Sequence, residues 1–148
     1  MKPTRRNLIT AAPLLAVPAA ATAAGKQSRK TPHYSKAKPT TPQLYTEAIS
    51  YGDFVFVSGH GVNDVSGVKA QTTKVLDDIE ASLKAAGTSL KNAVKCNVFL
   101  AKIEYYKEMN EAYLGRFGDV PPVRTTVAVA HIPLEGCLVE IELIAGRG

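Results

Sequence analysis

Near its carboxyl end the chain reads Cys137-Leu138-Val139-Glu140-Ile141-Glu142-Leu143-Ile144, and few folds accommodate such a run. The alternation is that of a strand, with Cys137, Val139, Ile141 and Leu143 on one side. Leu138 and Ile144 place apolar surface on the other side as well, so both faces of the sheet it joins need a cover. Glu140 and Glu142 share that second face.

A strand over residues 124–130 precedes it, approached through Pro121-Pro122, which stops any helix and forces extended backbone. A turn over 131–136 separates the two, which makes Arg124 and Glu140 residues of neighbouring apolar strands. An always-charged guanidinium and a carboxylate are costly to bury there without partners. Either they neutralise each other or they receive a small anionic ligand.

Upstream, residues 45–51 and 54–58 read as strands joined by a Gly52-Asp53 turn, and Ser58-Gly59-His60-Gly61 reads as a loop leaving the second. Val75, Leu76, Ile79, Leu83 and Ala86 recur at helical spacing over 68–86, with Gly87 as the stop. Residues 94–100 alternate as a strand. Tyr106, Met109, Tyr113 and Phe117 stripe a second helix over 103–117. The order β-β-α-β-α-β-β describes an α+β fold with two helices on one face of a sheet. The simplest cover for the other face is a second copy of the chain, which would put the Glu140 region near a subunit boundary.

The 148 residues suffice for one domain, and the formal charge of +5 raises the question of nucleic acid. All 13 acidic residues lie after position 40 but only 10 of the 18 Lys and Arg do, a net of −3 for that region. The basic excess belongs to the amino-terminal segments, which argues against RNA or DNA binding and against ribonuclease activity. Residues 1–24 resemble an export signal: Lys2, Arg5 and Arg6, a short apolar stretch, then Ala21-Thr22-Ala23. Thr4-Arg5-Arg6 is similar to a twin-arginine motif, with ordinary secretion as the alternative. The expectation is an exported, periplasmic protein with no stable membrane association after cleavage. Residues 25–42, rich in Lys, Pro, Ser and Thr, read as a flexible linker, which leaves 43–148 as the domain. Cys96 and Cys137 are compatible with one disulfide or with two buried thiols. No His/Cys cluster has metal-ligand spacing, and no cofactor is expected.

Several segments together resemble the RidA (YjgF) family of reactive-intermediate deaminases. They are 54–59 (Phe-Val-Phe-Val-Ser-Gly), 70–72 (Ala-Gln-Thr), 85–90 (Ala-Ala-Gly-Thr-Ser-Leu), Val94-Lys95 with Val98-Phe99-Leu100, 109–113 (Met-Asn-Glu-Ala-Tyr), 122–127 (Pro-Val-Arg-Thr-Thr-Val) and 139–142 (Val-Glu-Ile-Glu). The resemblance implies a mixed sheet with two helices on one face, as in chorismate mutase. It also implies a homotrimer with clefts between subunits, and cofactor-independent hydrolysis of enamine or imine acids such as 2-aminoacrylate and 2-iminopropanoate.

Arg124 then falls on the arginine that grips the substrate carboxylate, a task suited to its planar fork. Glu140 falls on the glutamate that orients the hydrolytic water. The resemblance further implies that Tyr45, Ser58, Gly59, Asn110 and Thr126 contact the substrate. The chain departs from the pattern at 43–47, where Gln-Leu-Tyr-Thr-Glu stands for Gly-Pro-Tyr-x-Gln, and at His60, where Gln is usual; the loop that follows is shortened. His60 reads as an exposed loop residue or as an extra acid or base. The function expected is 2-iminobutanoate/2-iminopropanoate deaminase; the alternative is an exported small-carboxylate-binding or chaperone-like module without turnover.

Overall fold

The computed structural model describes residues 30–147. The strands are β1 (Thr31–His33), β2 (Ala48–Tyr51), β3 (Phe54–Gly61), β4 (Ala93–Leu100), β5 (Val123–Ala128) and β6 (Val139–Gly146); the helices are α1 (Val68–Ala85), between β3 and β4, and α2 (Tyr106–Tyr113), between β4 and β5. The six strands form one mixed sheet in the order β1-β2-β3-β6-β4-β5, with β4 and β5 parallel and every other pair antiparallel. Both helices lie on one face. The expected architecture is present, with one strand added at the front.

That strand corrects the reading of 25–42 as a flexible linker. Thr31 pairs with Ser50 and His33 with Ala48, and His33 Nε2 lies 2.9 Å from Ser50 Oγ. Backbone pairing orders the segment although it buries little apolar area, and Pro32 is tolerated because the strand lies at the sheet edge. Residues 25–29 and the leader at 1–24 lie outside the described residues.

Helix α1 forms where the apolar spacing predicts. Val75, Leu76, Ile79 and Leu83 are fully buried against the sheet, and Gly87 at φ 79° turns the chain out of the helix. Burial of each such side chain stabilises the fold by roughly 1.5–3 kcal/mol. Gln71 is buried in the first turn with its polar atoms satisfied: Nε2 donates to the Val65 and Gly136 carbonyls at 3.1 and 3.0 Å, and Oε1 accepts from Leu138 N at 2.7 Å. It ties α1 to the entrance of β6.

The second helix is shorter than its stripe predicts. A single 3-10 turn, Ile103–Tyr105, leads into α2, which ends at Tyr113, and Gly115 at φ 78° reverses the chain. Phe117 still reaches the core and packs its ring 4.6 Å from that of Tyr113. This turn rather than a fourth helical turn satisfies the apolar spacing.

Strand β6 sits at the centre. Val139, Ile141, Leu143 and Ala145 are buried beneath the helices, while Glu140, Glu142 and Ile144 are half-buried on the opposite face. Its two-sided apolar character suits a position with a strand on each side. It pairs with β3 and β4, so β4 separates it from β5. The expectation that Arg124 and Glu140 occupy neighbouring strands is therefore corrected: the β4–α2–β5 crossover makes β5 a parallel neighbour of β4 at the sheet edge. The helix-free face carries Phe54, Phe56, Val123 and Val127 at 42–69% exposure.

Candidate functional site: two half-sites on opposite faces of the sheet

Strand register decides where the charged pair can act. Arg124 aligns with Cys96, which is buried on the helix side, and Thr126 aligns with Val98, also buried there. Glu140 aligns with Phe99 and Gly61, half-buried residues whose neighbours Val98 and Ile141 face the helices. Arg124 thus belongs to the helix-side face at the sheet edge and Glu140 to the open face. They line different hollows, and among the described residues neither makes an ion pair.

The arginine half is built from β5 and α2. The guanidinium carbon lies 4.6 Å from the centre of the Tyr113 ring and 5.8 Å from that of Tyr106, and Nη2 donates to Tyr106 Oη at 3.4 Å. Two aromatic faces are an attractive seat for a cation, worth roughly 0.5–2 kcal/mol, yet they leave the fork's N–H groups without a carboxylate. Arg124, Asn110 and Tyr113 line a hollow of about 570 Å³. Thr126 Oγ1 and Tyr113 Oη are buried without a well-formed hydrogen bond among the described residues. Burial pushes the Tyr113 phenol far above its ordinary pKa, the Cys96 thiol adds to the rise, and Arg124 opposes it. Burial likewise raises Cys96, with Tyr113 and Arg124 pulling the other way. Cys96 and Cys137 are both buried free thiols.

The glutamate half is built from β6, β3 and the segment before β2. Here Glu140, Tyr45, Ser58 and Gly59 line a hollow of about 750 Å³ together with Glu47 and His60. Tyr45 is 72% exposed. A Cβ on Gly59 would collide with Glu140 Oε1 and stand 3.0 Å from Cδ, so the carboxylate rests directly on bare backbone. Ser58 has its hydroxyl committed, donating to the Glu47 carbonyl at 3.2 Å. What the sequence presents as a loop at 58–61 is strand: β3 runs to Gly61 through a bulge between Val57 and His60. His60 is accordingly half-buried rather than an exposed loop residue.

Of the seven expected site residues, Arg124, Asn110 and Thr126 fall in the first half and Glu140, Tyr45, Ser58 and Gly59 in the second. Sequence reasoning missed Tyr106 and Tyr113 as the seat of the arginine, because their spacing reads as plain helix packing. It also missed Ser82, a polar residue on the buried stripe of α1. That placement was the available signal. Among the described residues no three His, Cys, Asp or Glu side chains gather as a metal site, and no helix is long and apolar enough to cross a membrane.

The profile of the family described as Endoribonuclease L-PSP matches residues 35–146, spanning β2 to β6 and both half-sites. The chain belongs to this family, the YjgF/RidA family. A RutC family protein of Pyrococcus horikoshii is 40% identical over 115 residues, 73% of this chain and 89% of the relative. The mitochondrial protein mmf2 of Schizosaccharomyces pombe is 39% identical over 110 residues, covering 70% and 87%. The crystal structure of RidA from an Antarctic Psychrobacter superposes with a TM-score of 0.70 at 35% identity, over 80% of this chain and 99% of that one. The Pyrococcus and Schizosaccharomyces relatives overturn the exported, periplasmic placement, since the first is archaeal and the second mitochondrial.

Proposed function

We propose that the protein hydrolyses enamine and imine acids of the 2-aminoacrylate and 2-iminopropanoate type to 2-keto acids and ammonia, at clefts formed between the subunits of a homotrimer. One subunit contributes Arg124, Asn110 and Thr126; the next contributes Tyr45, Ser58, Gly59 and Glu140. The carrying observation is that Arg124 and Glu140 each reach a hollow without an ion-pair partner among the described residues, on opposite faces of the sheet. A carboxylate substrate supplies the partner that Arg124 lacks, and a second copy supplies the missing half. Family membership supports a Rid-type role.

In this reading the guanidinium holds the substrate carboxylate through a bidentate pair, which fixes the imine carbon near Glu140 of the adjoining subunit. An enamine first shifts a proton to carbon to become the imine. Water oriented by Glu140 adds to the C=N carbon while its proton passes to the carboxylate. That proton returns to the carbinolamine nitrogen, the hydroxyl gives its own proton to the Glu140 carboxylate as the C–N bond breaks, and keto acid and ammonia leave. The chemistry is intrinsically easy, and positioning supplies most of what is needed.

The test generates the imine with an amino-acid oxidase or a threonine dehydratase and follows its trapping by semicarbazide. The wild-type chain is expected to deplete the trapped imine, with Arg124→Ala and Glu140→Gln each lowering kcat/KM by roughly a hundredfold or more. Equal imine lifetimes with wild type and Arg124→Ala contradict turnover. Retained binding of a small keto acid by wild type would then favour a carboxylate-binding module.

A further inference from the structure

Beneath the Ser58-Gly59 bulge lie three polar side chains that the reaction above does not use. Ser82, fully buried on α1, donates its hydroxyl hydrogen to Glu47 Oε1 at 2.5 Å, with the Asp78 carbonyl at 3.1 Å as its other acceptor. His60 approaches the same hydroxyl with Nε2 at 3.4 Å, and its Nδ1 lies 2.8 Å from the Ser58 carbonyl oxygen. A carbonyl only accepts, so Nδ1 carries a hydrogen. With the serine hydrogen committed to the carboxylate, the Nε2 contact becomes a hydrogen bond only when that nitrogen is protonated too.

The same Glu47 holds the bulge from its other end. Its backbone carbonyl accepts from Ser58 N at 3.1 Å and from Ser58 Oγ at 3.2 Å. Tracing the contacts from Glu47 carbonyl to Ser58, from Ser58 carbonyl to His60, and through Ser82 back to the Glu47 carboxylate closes a ring around the bulge. The carboxylate also accepts from Ser35 N at 3.1 and 3.2 Å. Burial raises the pKa of Glu47, but the hydrogen bonds from Ser35 and Ser82 and the charge of His60 together hold it below the ordinary carboxylate value.

Glu47 and His60, thirteen positions apart in sequence, meet through one buried hydroxyl. On the outer side of the bulge, Gly59 carries the Glu140 carboxylate.

We infer that Glu47, Ser82 and His60 form a positioning relay that fixes the Ser58-Gly59 bulge, and through Gly59 the Glu140 carboxylate. None of the three has a step in the reaction proposed above. Loosening the ring lets the bulge shift and displaces Glu140 from the water it orients. The arginine half remains intact, so the effect falls on kcat rather than on substrate capture. Its kinetic consequence rests on the deaminase reading proposed above; its geometry does not.

The experiment compares the full chain with Ser82→Ala, Glu47→Gln, His60→Gln and the pair Glu47→Gln/His60→Gln. Ser82→Ala keeps α1, because Ala is the better helix former. Each single change is expected to lower kcat roughly tenfold with KM within about twofold, and the pair to be no worse than either single change, because all act on one ring. Nitrogen NMR of the imidazole, with His60 assigned by its loss in His60→Gln, is expected to show the same Nδ1 signal in both proteins and a displaced Nε2 signal in Ser82→Ala, where the hydroxyl facing that nitrogen is gone. Wild-type turnover with unchanged kcat in Ser82→Ala and Glu47→Gln, or losses that multiply in the pair, overturns the relay. Where wild type has no turnover the deaminase reading fails by itself and the NMR decides: identical His60 signals in wild type and Ser82→Ala overturn the relay, and the stated change sustains it.

Discussion

Gly59 matters because of what lies on it. The Glu140 carboxylate occupies the space that any side chain at 59 would fill, so Gly59→Ala forces Glu140 to rotate or the bulge to open. The expected outcome is a folded protein of near wild-type stability, because the clash falls on the flexible end of the Glu140 side chain, whose kcat in the imine-trapping assay falls at least about tenfold. Urea unfolding and turnover measured on one preparation check it, and unchanged kcat contradicts the placement of Glu140. Arg124 presents the complementary case. Tyr113 and Tyr106 hold the guanidinium through their ring faces and the Tyr106 hydroxyl, and no described acid pairs with it. A carboxylate can therefore bind without displacing a protein acid. Both arrangements keep a charged group available at modest cost, one by backbone space and the other by aromatic seating.

Among the elements, those with strong periodicity were legible in the sequence and those defined by partners were not. Helix α1 and the two-sided pattern of β6 follow directly from residue spacing, and the two-layer architecture follows from them. The adjacency of β6 to β3 and β4 does not, because local alternation says nothing about which strand lies alongside; β5 went to the edge, where its half-exposed pattern fits. Strand β1 was hidden because backbone pairing and the His33–Ser50 contact order it, with little apolar area as a signal. The bulge in β3 was hidden because Gly59 and Gly61 read as a turn, whereas they admit Glu140 and Cys137 Sγ against the strand. The segment before β2 carries a testable consequence. Folding lowers the pKa of Glu47, so this group stabilises the fold above its ordinary value near 4.5, and the contribution is lost as pH falls through the lower folded value. Between neutral pH and that window the urea midpoint of wild type is expected to fall more than that of Glu47→Gln. Parallel curves for the two proteins contradict the account of Glu47.

At the scale of the whole molecule, one chain carries both of the proposed half-sites and cannot join them. Arg124 and Glu140 face opposite sides of one sheet with β4 between their strands, so no side-chain rotation brings them together. A helix-free face exposing Phe54, Phe56, Val123 and Val127 offers the apolar surface for a second copy. The seven residues expected from the family resemblance divide between the two proposed half-sites, a separation that spacing along the chain does not reveal. Mixing two crippled chains tests this most directly. Arg124→Ala and Glu140→Gln protein, each inactive alone, are unfolded together in equal amounts, refolded and assayed for imine hydrolysis. A cleft taking arginine from one subunit and glutamate from the next predicts roughly a quarter of wild-type activity in the mixture, since half the chains carry each intact residue. Activity no greater than that of the separate variants contradicts the shared cleft.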